Sequence, residues 1–123
     1  LVGEFLRKAS DPDRSGAVLL GWTSDNGDPG GFLSLLLSCD AVGASNRAQW
    51  CNAPFDELVR RASASGDEET RALLYGEAQQ MLAVHQPLIA LAHTVVSVPM
   101  ARTVTGFAAS PLGVYNFEGV DGP

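Results

Sequence analysis

The sequence holds no long apolar run. Leu33 to Leu37 and Leu88 to Ala92 are its most hydrophobic stretches, and both fall far short of the roughly 20 residues that span a bilayer as a helix. It also lacks a basic cluster. Lys and Arg total 8 against 14 Asp and Glu, a net charge of −6. Nucleic-acid affinity comes from neutralising phosphates with cationic side chains, so that class of partner is excluded. The usual catalytic punctuation is missing too: no G-x-S-x-G, no Walker loop, no G-x-G-x-x-G. Only His85 and His93 could supply imidazole, and neither stands at a metal-type spacing. No metal or other cofactor is implied, and no residue pattern makes the chain an enzyme. There is no initiator Met and no signal-peptide pattern, and Leu1 to Lys8 already reads as the middle of a helix. The expectation is a fragment or a processed product.

What is present describes one folded domain. In 123 residues, 46% are hydrophobic and 18% charged, a balance that excludes disorder and allows a modest core. Val2, Phe5, Leu6 and Ala9 share a face at helical spacing. After a loop from Ser10 to Gly16, the run Ala17 to Gly21 reads as a buried strand. Asn26-Gly27 is a strong turn dipeptide. Asp28 can cap the next helix, with Pro29 at its first position. That helix is expected from Pro29 to about Ser38 and, being almost all apolar, largely buried. Gly30 and Gly31 weaken its first turn, a cost that close backbone approach would explain.

Cys39 to Asn52 has loop composition. Phe55, Leu58, Val59 and Ala62 then follow the i, i+3, i+4, i+7 template behind a potential Asn52 cap. Asp56–Arg60 and Glu57–Arg61 are potential i,i+4 ion pairs on its surface. Gly66 should stop this helix and Asp67 cap a second one ending near Gln86, with Leu74, Ala78, Met81, Leu82 and His85 on one face. The two make a helical hairpin. Leu88 to Val98 and Arg102 to Phe107 read as strands, and the pattern fades from Ala108 to Pro123. The fold class is mixed α/β, in two parts: residues 1–87 with the turn and the hairpin, and residues 88–123 with strands and a crossing segment.

The turn Gly21 to Pro29 is the best candidate site, because ligands collect at strand ends in mixed α/β folds. A lone carboxylate there is more often a turn former. Asp25, however, stands three residues after Trp22, and a carboxylate beside an apolar wall suits a primary ammonium, which donates three hydrogen bonds. Calcium is a poor alternative: Asp25, Asn26 and Asp28 lack the alternation and the final Glu of an EF-hand loop. Cys39 and Cys51 read equally well as a disulfide and as two free thiols. A disulfide would close a loop worth about 3 kcal/mol. Free thiols would leave open a thiol or redox enzyme using Cys39 or Cys51. A structural interaction module built on the Pro54–Gln86 hairpin is a third reading.

The order of motifs is more specific. G-W-T-S-D-N-G-D-P-G-G-F-L, L-S-C-D, S-N-R-A-Q-W-C-N-A-P-F-D-E-L-V, A-H-T-V-V-S-V-P-M and G-F-x-x-x-P-L-G-V-Y-N-F-E-G-V together resemble the family-5 extracellular solute-binding proteins, which deliver peptides to ABC importers. The resemblance implies a two-lobed α/β clamp of which this chain matches only the C-terminal quarter. It implies that Asp25 binds the α-ammonium of a dipeptide or short peptide. Trp22 falls on the pocket tryptophan of the same motif, and Thr23 and Ser24 lie between the two. It also implies that Cys39 and Cys51 form a disulfide, that the protein is periplasmic, and that a membrane ABC permease is its partner. Relatives of this shape also carry haem, glutathione, nickel or oligopeptides, and no residue in this chain selects among them. The family arginine that clamps the ligand's carboxylate lies upstream and is absent here. The fragment alone is therefore expected to bind poorly, and to self-associate through apolar faces left without a partner lobe.

Overall fold

Helical periodicity is realised almost as written. In a computed structural model describing every residue except Ser15, Pro111 and Pro123, four α-helices form: α1 (Val2–Ala9), α2 (Gly30–Leu37), α3 (Ala53–Ala64) and α4 (Glu68–His85). A single 3-10 turn, Cys39–Ala41, follows α2. The loop expected over Ser10 to Gly16 and the tail after Ala108 are present, except where they fall on residues outside those described.

The caps explain the boundaries of α3 and α4. The Asn52 side chain accepts from the Phe55 N–H at 3.1 Å, and Asp67 accepts from the Thr70 N–H at 2.8 Å. Both satisfy donors that the first helical turn leaves unpaired. Gln86 ends α4 in the left-handed conformation. The core forms where three apolar faces meet: Leu33 and Leu37 of α2, Phe55, Val59 and Ala62 of α3, and Leu74, Tyr75 and Ala78 of α4. Trp50 closes one end, edge-on to Phe55 at 5.0 Å and 5.7 Å from the His85 ring.

Three expectations need correction. The helix after Pro29 is only half buried: Leu33 and Leu37 face inward, while Phe32 and Leu35 remain more than 40% exposed. Neither expected i,i+4 pair forms among the described residues: Asp56 does not pair with Arg60, nor Glu57 with Arg61. The Asp56 carboxylate accepts from the Cys39 N–H at 3.0 Å, and Arg60 pairs with Glu57 instead, at 2.6 Å. A buried-side backbone donor outcompetes a surface ion pair, which is worth little in water. Finally, no strand forms among the described residues. Ala17 to Gly21, Leu88 to Val98 and Arg102 to Phe107 hold no ladder. A strand exists only by pairing with a neighbour, and a β-branched run advertises that need without supplying the partner.

The cysteines are joined. Cys39 and Cys51 form a disulfide across 12 positions. Inside its loop, the buried Asn46 donates to the carbonyls of Ser38 (3.0 Å) and Trp50 (2.8 Å). Arg14 donates to the carbonyls of Ala9 and Arg47, tying the end of α1 to this loop.

The chain divides into two units, residues 1–89 and 90–123. The second is held by one antiparallel bridge, in which Thr105 and Asp121 exchange N–H···O bonds of 2.9 and 3.1 Å. Phe107 also packs against Tyr115 and Phe117, with ring centroids 5.9 and 6.0 Å apart.

Candidate ligand-binding turn

The segment between Trp22 and Asp28 folds around the Ser24 hydroxyl. Ser24 is 7% exposed. Its Oγ accepts from the Gly27 N–H at 3.0 Å and shares its own hydrogen between Asn26 Oδ1 and the Asp28 carbonyl, at 3.2 and 3.3 Å. Asn26 Oδ1 also accepts from the Asp28 N–H at 3.0 Å. These are the side-chain-to-backbone bonds that make Ser and Asn turn residues. The hydroxyl of Ser24 is thus engaged inside the turn, while Thr23 is exposed.

Two further bonds attach the turn to α2. The Trp22 indole N–H donates to the Gly31 carbonyl at 2.8 Å, leaving the ring about half exposed. Asp28 Oδ1 accepts from the Gly30 N–H at 2.7 Å, satisfying the first donor of α2 from just ahead of it, while the N-cap position falls on Pro29 rather than on Asp28 as expected. The two glycines are there for close approach. A Cβ on Gly30 would come within 2.8 Å of Asp28 Oδ1, and one on Gly31 within 2.8 Å of Ser24 Oγ.

Asp28 has a second set of partners that sequence reasoning missed. Its Oδ1 also accepts from the Tyr75 hydroxyl at 3.0 Å, and its Oδ2 pairs with Arg71. Arg71 and Tyr75 stand one turn apart on α4. The only signal for them is a tyrosine beside the apolar face, which when buried must find a partner for its hydroxyl.

Asp25 is different from Ser24, Asn26 and Asp28. It is exposed, and among the described residues it makes no hydrogen bond and no ion pair. The turn therefore carries two carboxylates, one neutralised and one free. A free carboxylate is an acceptor for a cationic donor, and such charge-assisted bonds are about twice as strong as neutral ones. A concavity of about 290 Å³ lies elsewhere, between the end of α1 and the disulfide loop, lined among others by Ser10, Asn46, Arg47 and Gln49.

No family model matches the sequence. Over 118 residues it is 39% identical to the dipeptide-binding protein of Pseudomonas aeruginosa, covering 96% of this chain and 22% of that protein. Over nearly its whole length the chain is similar to one segment of that protein. Two solved structures agree in shape. The dipeptide-binding protein of Pseudoalteromonas sp. SM9913, in complex with Met-Leu, superposes with a TM-score of 0.77 at 32% identity, over 99% of this chain and 24% of that one. HbpA2 from Haemophilus parasuis gives a TM-score of 0.84 at 33% identity, over 98% and 24%. The chain thus spans about a fifth to a quarter of the length of these solute-binding proteins, consistent with a C-terminal portion of a two-lobed clamp. The helices described above are what that portion contributes here. The thiol-enzyme alternative has no free thiolate to use, since both sulfurs are in the disulfide.

Proposed function

We propose that this chain is part of the substrate-binding component of an ABC importer for dipeptides or short peptides, and that Asp25 receives the peptide's α-ammonium. The observation that carries this reading is the contrast within one turn. Ser24, Asn26 and Asp28 are all engaged by internal hydrogen bonds, while Asp25 is left open. An exposed carboxylate that no neighbour in the turn engages is free to accept from a cationic donor. Trp22 supplies the apolar wall. Ser24 shapes the turn, and Thr23 lies beside the ligand.

The likeness to a protein solved with Met-Leu supports this ligand class. The disulfide supports an oxidising compartment such as the periplasm. The described residues include no helix long and apolar enough to cross a membrane.

A clamp binds by closing two lobes over its ligand, and Asp25 alone cannot do that. The 123-residue chain by itself is expected to bind dipeptides weakly. The test uses a chimera in which this chain replaces the matching segment of the Pseudomonas aeruginosa relative. Removing one member of a desolvated ion pair typically costs about 3–5 kcal/mol. Asp25→Ala should therefore lower dipeptide affinity by about a hundredfold or more in calorimetry. Unchanged affinity would refute the assignment.

A further inference from the structure

We propose that Asp28, held by Arg71 and Tyr75, is the positioning residue that places Asp25 and Trp22 for the ligand; the inference rests on the reading of Asp25 as the ammonium acceptor. The internal bonds of the turn fix its shape but not its place. The run leading into it, Ala17 to Gly21, has no ladder partner among the described residues. The Trp22 indole donates to Gly31, in the helix that continues directly from the turn. Among the described residues, the only hydrogen bonds from the turn to another part of the fold are those of Asp28, 43 residues to Arg71 and 47 to Tyr75. Tyr75 is 3% exposed, and its hydroxyl lies 3.3 Å from Ser63 Oγ of α3. The turn is therefore referenced to the helical hairpin, which contains most of the core. A group locked by packing and by its neighbours' hydrogen bonds is what a binding site needs behind the residues that touch ligand.

Charge gives the same cluster a second effect. Asp25 and Asp28 are three residues apart, and an unpaired Asp28 would compete for the same ammonium. Arg71 neutralises Asp28 and lies over the Tyr75 ring, 5.8 Å from its centroid. One acceptor of net negative charge remains on the turn, and it is Asp25.

The first test needs no ligand. The chain has two tryptophans, so incorporating 5-fluorotryptophan gives two fluorine resonances, assigned with Trp22→Phe. Asp28→Asn and Arg71→Gln should each move the Trp22 line toward its solvent-exposed position and leave the Trp50 line in place. Arg71→Lys should restore part of the shift. A Trp22 line that does not move, or two lines that move together, would overturn the proposal. The second test uses the chimera. Asp28→Asn should lower dipeptide affinity about tenfold, since small misplacements of a binding group are costly. It should have no further effect where Asp25 is already Ala. Equal losses in both backgrounds would overturn the positioning role. Should Asp25→Ala alone change nothing, the ammonium assignment fails, and the fluorine spectra still decide whether Asp28 places the turn.

Discussion

Cys39 and Asp56 meet through a backbone donor: the Cys39 N–H points into the Asp56 carboxylate, 3.0 Å from Oδ2 and 3.3 Å from Oδ1. The contact joins the start of the disulfide loop to the first turn of α3, where the acid also faces the positive end of the helix. Asp56→Ala removes the acceptor and leaves that N–H to water. A hydrogen bond to a charged group is worth about 1.5–3 kcal/mol. Urea unfolding of the variant should show a loss in this range, whereas Asp56 paired with Arg60 on the surface would have cost about 0.5 kcal/mol.

Glycine-to-alanine changes should have opposite signs at two positions. In α4, a Cβ on Gly76 meets nothing within 4 Å, so Gly76→Ala gains helix propensity, about 0.5–1 kcal/mol. At Gly30 the same change drives a methyl group to 2.8 Å from Asp28 Oδ1 and 3.0 Å from the Tyr75 hydroxyl. There the propensity gain is lost to the displaced cluster. Thermal melts of the two variants should move up and down respectively.

Reducing the disulfide frees a loop of 12 positions. Chain entropy puts its contribution at about 3 kcal/mol. Mass spectrometry should register a gain of two hydrogens on reduction. Denaturant midpoints should fall in parallel, and Cys39→Ser with Cys51→Ser should reproduce the fall without reductant.

The Asp67 cap makes stability depend on acid. Hydrogen bonds from Thr70 hold its carboxyl below the usual value of 3.8. A depressed carboxyl contributes stability that is fully present above the unfolded pKa and is lost as pH falls through the folded one. Melting temperatures followed downward from pH 5 should therefore drop less for Asp67→Asn, which keeps an accepting oxygen but does not titrate, than for the parent chain.

The helical hairpin was legible because its signals are local. The Phe55-Leu58-Val59-Ala62 stripe, the Asn52 and Asp67 caps and the Gly66 break all act within a few residues of one another. The turn was legible for the same reason, and so was the need for Gly30 and Gly31 to be small. The strands were not, because Val95, Val96 and Leu19 declare a wish for burial that only a hydrogen-bonding neighbour can convert into a strand. The local bond of Asp28 to the Gly30 N–H is legible in the sequence, although the cap position itself falls on Pro29. The bonds of Asp28 to Arg71 and Tyr75 close over 43 and 47 residues, and no periodicity reports such a separation. The Asp56 contact is not legible because an i,i+4 partner is visible in the sequence and the Cys39 N–H is not.

The central claim concerns the charge on a peptide's first residue. In the chimera, calorimetry with one dipeptide in free-amine and N-acetylated forms tests it directly. The account predicts that acetylation weakens binding to the Asp25 protein by about a hundredfold and makes little difference once Asp25 is Ala. Equal binding of the two forms by the unmodified protein would contradict it.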